Sequence, residues 1–186
     1  MADTHRLFTV TRWLLRVAGY FCAFLTGALT LAFVAVVLAL AALLLMPSLL
    51  PIFSIPLSVE GVPLHTILAA AVFLVAGGTI GTLFIFLAIR ATSGIVDTAI
   101  AGDPFVADNA ERLKRIGWLL LGIMVVQFLS ATMVVAIAPD NNIAGHIDPG
   151  DGGPSLTGLL AVLLIFVLAR IFRHGTEMRA ELEGTV

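Results

Sequence analysis

Histidine, cysteine and carboxylate side chains are the groups of this 186-residue chain best able to hold a metal or attack a substrate, so their spacing is read first. His146 stands among Asp140, Asp148 and Asp151, a donor set that could take a divalent cation, yet the intervals follow neither a calcium-loop nor a zinc pattern and predict a solvated loop. His174 and Glu177 lie three apart, on one face of a helix, and with no second motif to join them they predict a surface pair. His65 borders an apolar run without the second ligand that a haem between helices would want. Cys22 is the only cysteine, which excludes an internal disulfide and leaves the role of a small buried hydrophobe. No phosphate-cradling glycine loop and no nucleophile elbow is found. The expectation is therefore a protein with no catalytic residue, no cofactor and no metal, and not an enzyme.

The elements that carry these residues explain the shortage. The chain is 60% hydrophobic and 12% charged with a mean hydropathy of +1.09, against about 25% charged in a soluble domain. Uncharged runs near 17–46, 66–89 and 116–138 are long enough to cross about 30 Å of hydrocarbon. A fourth run, 155–172, reaches a workable length if Arg170 bends its guanidinium back to the headgroups. The predicted fold class is an all-α membrane protein, one domain with four transmembrane helices and the lipid bilayer as its main partner. Ionisable groups at membrane depth, which proton-coupled transport and intramembrane proteolysis require, are missing from all four runs.

Lysine and arginine fall at the N-terminus (Arg6, Arg12, Arg16), in the middle connection (Arg90, Arg112, Lys114, Arg115) and in the tail (Arg170, Arg173, Arg179). The two other connections carry neither type. By the positive-inside rule both termini, an elbow at 90–115 and a tail at 173–186 are cytoplasmic, and Glu60, Asp140, Asp148 and Asp151 lie outside. The expected location is a bacterial inner (plasma) membrane. The first apolar run exceeds the roughly 7 to 15 residues of a signal peptide, so an uncleaved anchor is predicted despite Ala39-Leu40-Ala41. The outer stretch with Pro47, Pro51, Pro56 and Pro63 predicts a segment lying in the headgroups with Phe53 dipping inward, and 138–154 a short polar loop.

The stretch "GDPFVADNAERLKRIGWLL" joins the second and third spans. Helices 2, 3 and 4 are all predicted to extend into the cytoplasm. Gly102 suits the left-handed residue that ends a helix, Asp108 suits an N-cap with Glu111 completing a capping box, and Trp118 suits the membrane interface. The tail continues the fourth helix with Ile171, Met178 and Leu182 along one side, and its end is expected to fray because Glu181 and Glu183 oppose the helix dipole. Gly19, Ala23 and Gly27, and Gly77 with Gly81, are small residues four apart that predict close helix packing, within the chain or in a homo-oligomer. Gln127 is expected to bond a neighbouring helix within the span.

These two polar segments, the elbow and "LARIFRHGTEMRAELEGTV", resemble the bacterial membrane proteins grouped as domain of unknown function 2975. The matching positions are Gly102, Pro104, Phe105, Asn109, Arg112, Arg115, Phe172, Gly175, Glu181, Thr185 and Val186; the tail departs from the family pattern at Leu182 to Gly184, where relatives carry Asp or Asn. The resemblance implies a four-helix protein often encoded beside a small helix-turn-helix regulator. A soluble partner of that kind would dock on Asp103, Pro104, Phe105, Asn109, Arg112, Arg115, Phe172, Gly175, Met178 and Leu182, and the chain itself would touch no nucleic acid. The alternative is an oligomeric channel or small-molecule exporter built through the Gly77 to Gly81 face.

Overall fold

Each apolar run becomes the body of a helix. The computed structural model describes residues 2–45, 64–137 and 155–183, which form α1 (Ala2–Leu45), α2 (Leu64–Ile100), α3 (Ala107–Ile137) and α4 (Leu156–Glu183). All four are long and apolar enough to span a membrane. At about 1.5 Å per residue α2 is roughly 55 Å long, well beyond the hydrocarbon thickness. It therefore runs past its apolar part to the elbow, as its proline-free continuation predicts. The headgroup segment expected around Phe53, the loop with His146, Asp140, Asp148 and Asp151, the side chain of Leu182, and Thr185 and Val186 lie outside the described residues.

Burial runs opposite to that of a soluble protein. The buried apolar set is mostly alanine (Ala70, Ala91, Ala110, Ala131 and Ala169, with Leu113, Val134 and Val162), while Trp13, Tyr20, Phe24, Leu31, Leu45, Leu156 and Leu164 are exposed. In water each such exposed side chain would forgo about 1.5–3 kcal/mol of burial. Facing acyl chains it forgoes nothing, and small residues at the contacts let helix backbones approach. Hydroxyls follow the same economy: Thr30, Thr79, Thr82, Thr92, Ser93 and Thr132 each donate to the carbonyl four residues earlier on their own helix. Four such helices make the chain a multi-pass membrane protein.

The chain divides into two compact units. The first takes residues 1–24, 83–123 and 155–186, and so has a piece of every helix. Within it α1 and α2 run antiparallel, with Arg12 3.1 Å from Asp97 and the backbone of Gly19 against Ile89. The second unit takes residues 25–82 and 124–154. There α2 meets α3 closely, since a Cβ on Gly77 would lie 2.1 Å from Ser130 Oγ, and it also meets α1, where a Cβ on Gly78 would lie 3.8 Å from Leu29.

Small residues expected to pack behave unequally. Gly77 is spent on Ser130, whereas nothing lies within 4 Å of a Cβ at Gly81 or Gly27, and Ala23 and Gly27 are exposed. Gln127 departs from expectation. It is exposed and has no hydrogen-bond partner among the described residues. The polar side chains of the adjacent α2 stretch, Thr79 and Thr82, already bond their own helix, and the close contact of α3 in this unit, at Ser130, lies about one turn further along.

Candidate functional site

The elbow is built from backbone bonds outward. Gly102 has φ +86°, the left-handed conformation expected of it. Its N–H donates to the Ala99 carbonyl at 3.2 Å and the Asp103 N–H to the Thr98 carbonyl at 3.1 Å, which is the paired pattern of a Schellman cap ending α2. The start of α3 differs from its predicted form. The helix begins at Ala107, the Asn109 N–H donates to the Val106 carbonyl at 3.0 Å, and Asp108 falls inside the first turn, so Asp108 and Glu111 form no capping box. Asp108 still meets the positive end of the helix dipole.

The side chain that anchors this corner is Asn109, which is 0% exposed. Its amide nitrogen donates to Thr98 Oγ1 at 2.6 Å and to the Pro104 carbonyl at 2.9 Å, and its oxygen accepts from Arg112 at 2.8 Å. Thr98 in turn donates to the Ile95 carbonyl at 2.8 Å, and Arg112 also donates to the Gly94 carbonyl at 2.9 Å. A buried carboxamide with both protons and its oxygen engaged fixes one geometry, since any other leaves polar atoms unpaired in a low dielectric. Gly94 is required for this arrangement: a Cβ there would meet the Arg112 guanidinium carbon at 2.9 Å. Asn109 and Arg112, expected to face a partner, therefore turn inward and latch α2 to α3.

α4 packs across the same corner. Phe105 lies 5.2 Å from Phe172, ring to ring, and a Cβ on Gly175 would lie 3.3 Å from the Phe105 ring. Arg179 pairs with Asp103, and Arg173 with Glu111, which also lies 3.9 Å from Lys114. These ion pairs are about half exposed, so each contributes at most about 1 kcal/mol. Deeper along α3, Gly117 is buried and a Cβ on it would meet the Phe166 ring at 2.9 Å, while Trp118 meets Phe166 edge-on at 5.4 Å. His174 and Glu177 form the expected exposed pair at 3.6 Å.

Two concavities flank α4. One, of about 730 Å³, is lined by Phe105, Arg170, Ile171, His174, Gly175 and Met178. The other, of about 620 Å³, lies between α3 and α4 and includes Lys114, Trp118, Phe166 and Arg170. Of the residues expected to dock a partner, Phe105, Gly175 and Met178 line the first, Phe172 backs it through Phe105, and Asp103 is held by Arg179. Arg115 is exposed and makes no bond among the described residues. Sequence reasoning did not single out Gly94, Asp97, Thr98, Gly117 or Phe166. A glycine and hydroxyls within a helix extension, opposite an asparagine, were the available signal. Among the described residues no three His, Cys, Asp or Glu side chains gather into a metal site.

The elbow and α4 both fall within residues 58–186, the stretch matched by the family model described as Protein of unknown function (DUF2975). The chain belongs to that family. α1 precedes the matched stretch, so the Arg12 to Asp97 pair joins a helix outside it to one inside. No curated protein and no solved structure matches the chain.

Proposed function

We propose that this DUF2975 member is a non-enzymatic protein of the bacterial plasma membrane, with both termini and the elbow in the cytoplasm. The elbow and α4 dock a soluble partner, such as a small helix-turn-helix regulator. The cation distribution supports the orientation, because lysine and arginine near helix ends are retained on the cytoplasmic side. The observation that carries the docking reading is the cleft beside α4, where Phe105 is 46%, Ile171 58% and Met178 50% exposed. Ile171 stands at the boundary of the apolar part of α4, whereas Phe105 and Met178 lie beside His174 at its charged end, where solvent rather than acyl chain is the alternative to a partner. An amphipathic helix bearing acidic residues beside an apolar stripe fits such a cleft. The latch of Asn109 and Arg112 serves this role indirectly by holding Phe105 in place.

The test is co-expression with a regulator encoded beside the chain, followed by purification in mild detergent. Wild type is expected to carry the regulator, and Met178→Asp or removal of residues 174–186 to reduce its recovery at least tenfold. This follows from a buried methionine being worth about 1.5–3 kcal/mol. Recovery of the chain alone from cells that contain the regulator would overturn the docking reading. A cysteine at Ala107 in a Cys22→Ser background reports orientation: labelling by an impermeant thiol reagent added outside intact cells would invert it.

A further inference from the structure

We propose that the groove between α3 and α4 is a binding site for the headgroup of an anionic phospholipid. The groove, of about 620 Å³, is graded along its length. At one end Arg173 bridges to Glu111, and His174 pairs with Glu177. One to two turns further along both helices come Lys114 and Arg170, and then Trp118 packed edge-on against Phe166 at 5.4 Å. Beyond these, Leu163 continues the α4 stripe of Phe166 and Arg170 at helical spacing and is exposed. A phospholipid has the same gradient, from phosphate through glycerol to acyl chain.

The charge balance within the groove points to an anion. Three cations, Lys114, Arg170 and Arg173, line it against one carboxylate, Glu177; Arg173 bridges to Glu111 and Lys114 lies 3.9 Å from the same carboxylate, whereas Arg170 has no partner among the described residues. A guanidinium offers a planar fork to two phosphate oxygens, and an ammonium such as that of Lys114 adds a point charge beside it. Basic pockets between helices at the membrane surface suit anionic headgroups, and exposed tryptophan belongs at that depth. Trp118 is 59% exposed because the Phe166 ring, not the indole, occupies the notch left by Gly117. The apolar floor and the Leu163 stripe select a lipid over a free phosphate ion, which has no use for them. The site requires membrane insertion alone and no soluble partner, although Arg170 lines this groove and the docking cleft.

The chain has two tryptophans, so Trp13→Phe leaves Trp118 as the sole tryptophan, excited selectively over Tyr20. That protein is reconstituted in phosphatidylcholine vesicles carrying matched series of increasing mole fraction of either phosphatidylglycerol or phosphatidylcholine with brominated acyl chains. Trp118 is expected to be quenched at several-fold lower mole fraction of the brominated phosphatidylglycerol. Lys114→Gln and Arg170→Gln should each lower that preference about fivefold, in line with the usual contribution of one cation beside anionic lipid. Arg115→Gln removes the same charge outside the groove and should change it less than twofold. Equal quenching by the two lipids overturns the proposal, as does a loss in Arg115→Gln equal to that in Arg170→Gln. Displacement of the brominated lipid by about 10 mM inorganic phosphate, too dilute to screen charges in contact, would assign the groove to a free anion and overturn the lipid assignment.

Discussion

Replacing Asn109 with alanine removes the one fully buried polar side chain among the described residues, which ties α2, the turn and α3 together, and its cost can be worked from the partners it leaves. Three hydrogen bonds vanish: those to Thr98 Oγ1 and the Pro104 carbonyl, and the one from Arg112. Thr98 keeps its bond to the Ile95 carbonyl and Arg112 keeps the Gly94 carbonyl, so neither is stranded. The Pro104 carbonyl has no other partner among the described bonds and sits half-buried. Neutral bonds contribute about 1 kcal/mol each and a charge-assisted one about 1.5–3, so the expected loss is about 3 kcal/mol once water enters the vacated space.

The assay is equilibrium unfolding by SDS titration in a mild detergent, followed by tryptophan fluorescence. Thr98→Val should cost about 1 kcal/mol, and the double variant should cost less than the two singles combined, because they share one bond. Arg173→Gln serves as the comparison. It breaks an ion pair that looks conspicuous but is half exposed, and should cost less than about 1 kcal/mol. If Asn109→Ala costs no more than Arg173→Gln, the latch is not what holds the elbow, and the inward role given to Asn109 and Arg112 is wrong.

Two further changes test how the spans pack. Gly77→Ala would place a Cβ 2.1 Å from Ser130 Oγ and 2.9 Å from Ser130 Cβ, which no rotamer of the serine relieves fully, and should destabilise by about 1–3 kcal/mol in the same titration. Gly81→Ala meets open space and should be neutral or gain up to about 1 kcal/mol from helix propensity; equal losses at both positions would refute the assignment of Gly77 as the close contact. Gln127→Leu should be neutral or stabilising, since the amide has no partner among the described residues; a loss above about 1 kcal/mol would restore the interhelical bond expected from sequence.

What could be read from sequence was what depends on a run of residues or on a single backbone requirement. Four spans follow from uncharged length, and Gly102 followed by Pro104 marks a helix end wherever it occurs. What depends on a helix's rotation could not be read. Asn109, Arg112 and Arg115 lie on the same stretch and are all polar, yet the first is buried, the second half-buried and the third exposed. Which of them turns inward is decided by the partners on α2, Thr98 and Gly94, and a sequence without its partner helix does not hold that information. The α3 cap also escaped the pattern: Asp108 and Glu111 have the spacing of a capping box, but the Asn109 N–H bonds the Val106 carbonyl, so the helix begins at Ala107 and Asp108 lies within its first turn. In the spans, a polar residue was assumed to find a partner, and Gln127 shows that composition does not guarantee one.

The charges of the elbow unit sort themselves by whether the fold already uses them, and that sorting narrows where a ligand can bind. Arg12, Arg112, Arg173 and Arg179 are committed to Asp97, to Asn109 and the Gly94 carbonyl, to Glu111 and to Asp103. A ligand competing for these would have to break a contact between helices before it gained one. Arg16, Arg115 and Arg170 have no such debt, Arg90 only overlies the Phe86 ring at 5.8 Å, and Lys114 lies 3.9 Å from Glu111 on its own helix. Of these, Lys114 lines one concavity and Arg170 lines two. Its position at the boundary between the apolar and polar parts of α4 makes an anion its cheapest partner from the lipid side. The same guanidinium can reach a carboxylate presented in the Met178 cleft only by leaving the lipid groove. The two sites therefore compete for one side chain, and raising the anionic lipid content of a vesicle should weaken partner binding in wild type. In Arg170→Gln that dependence should vanish, even though the apolar contacts of Phe105 and Met178 are unchanged.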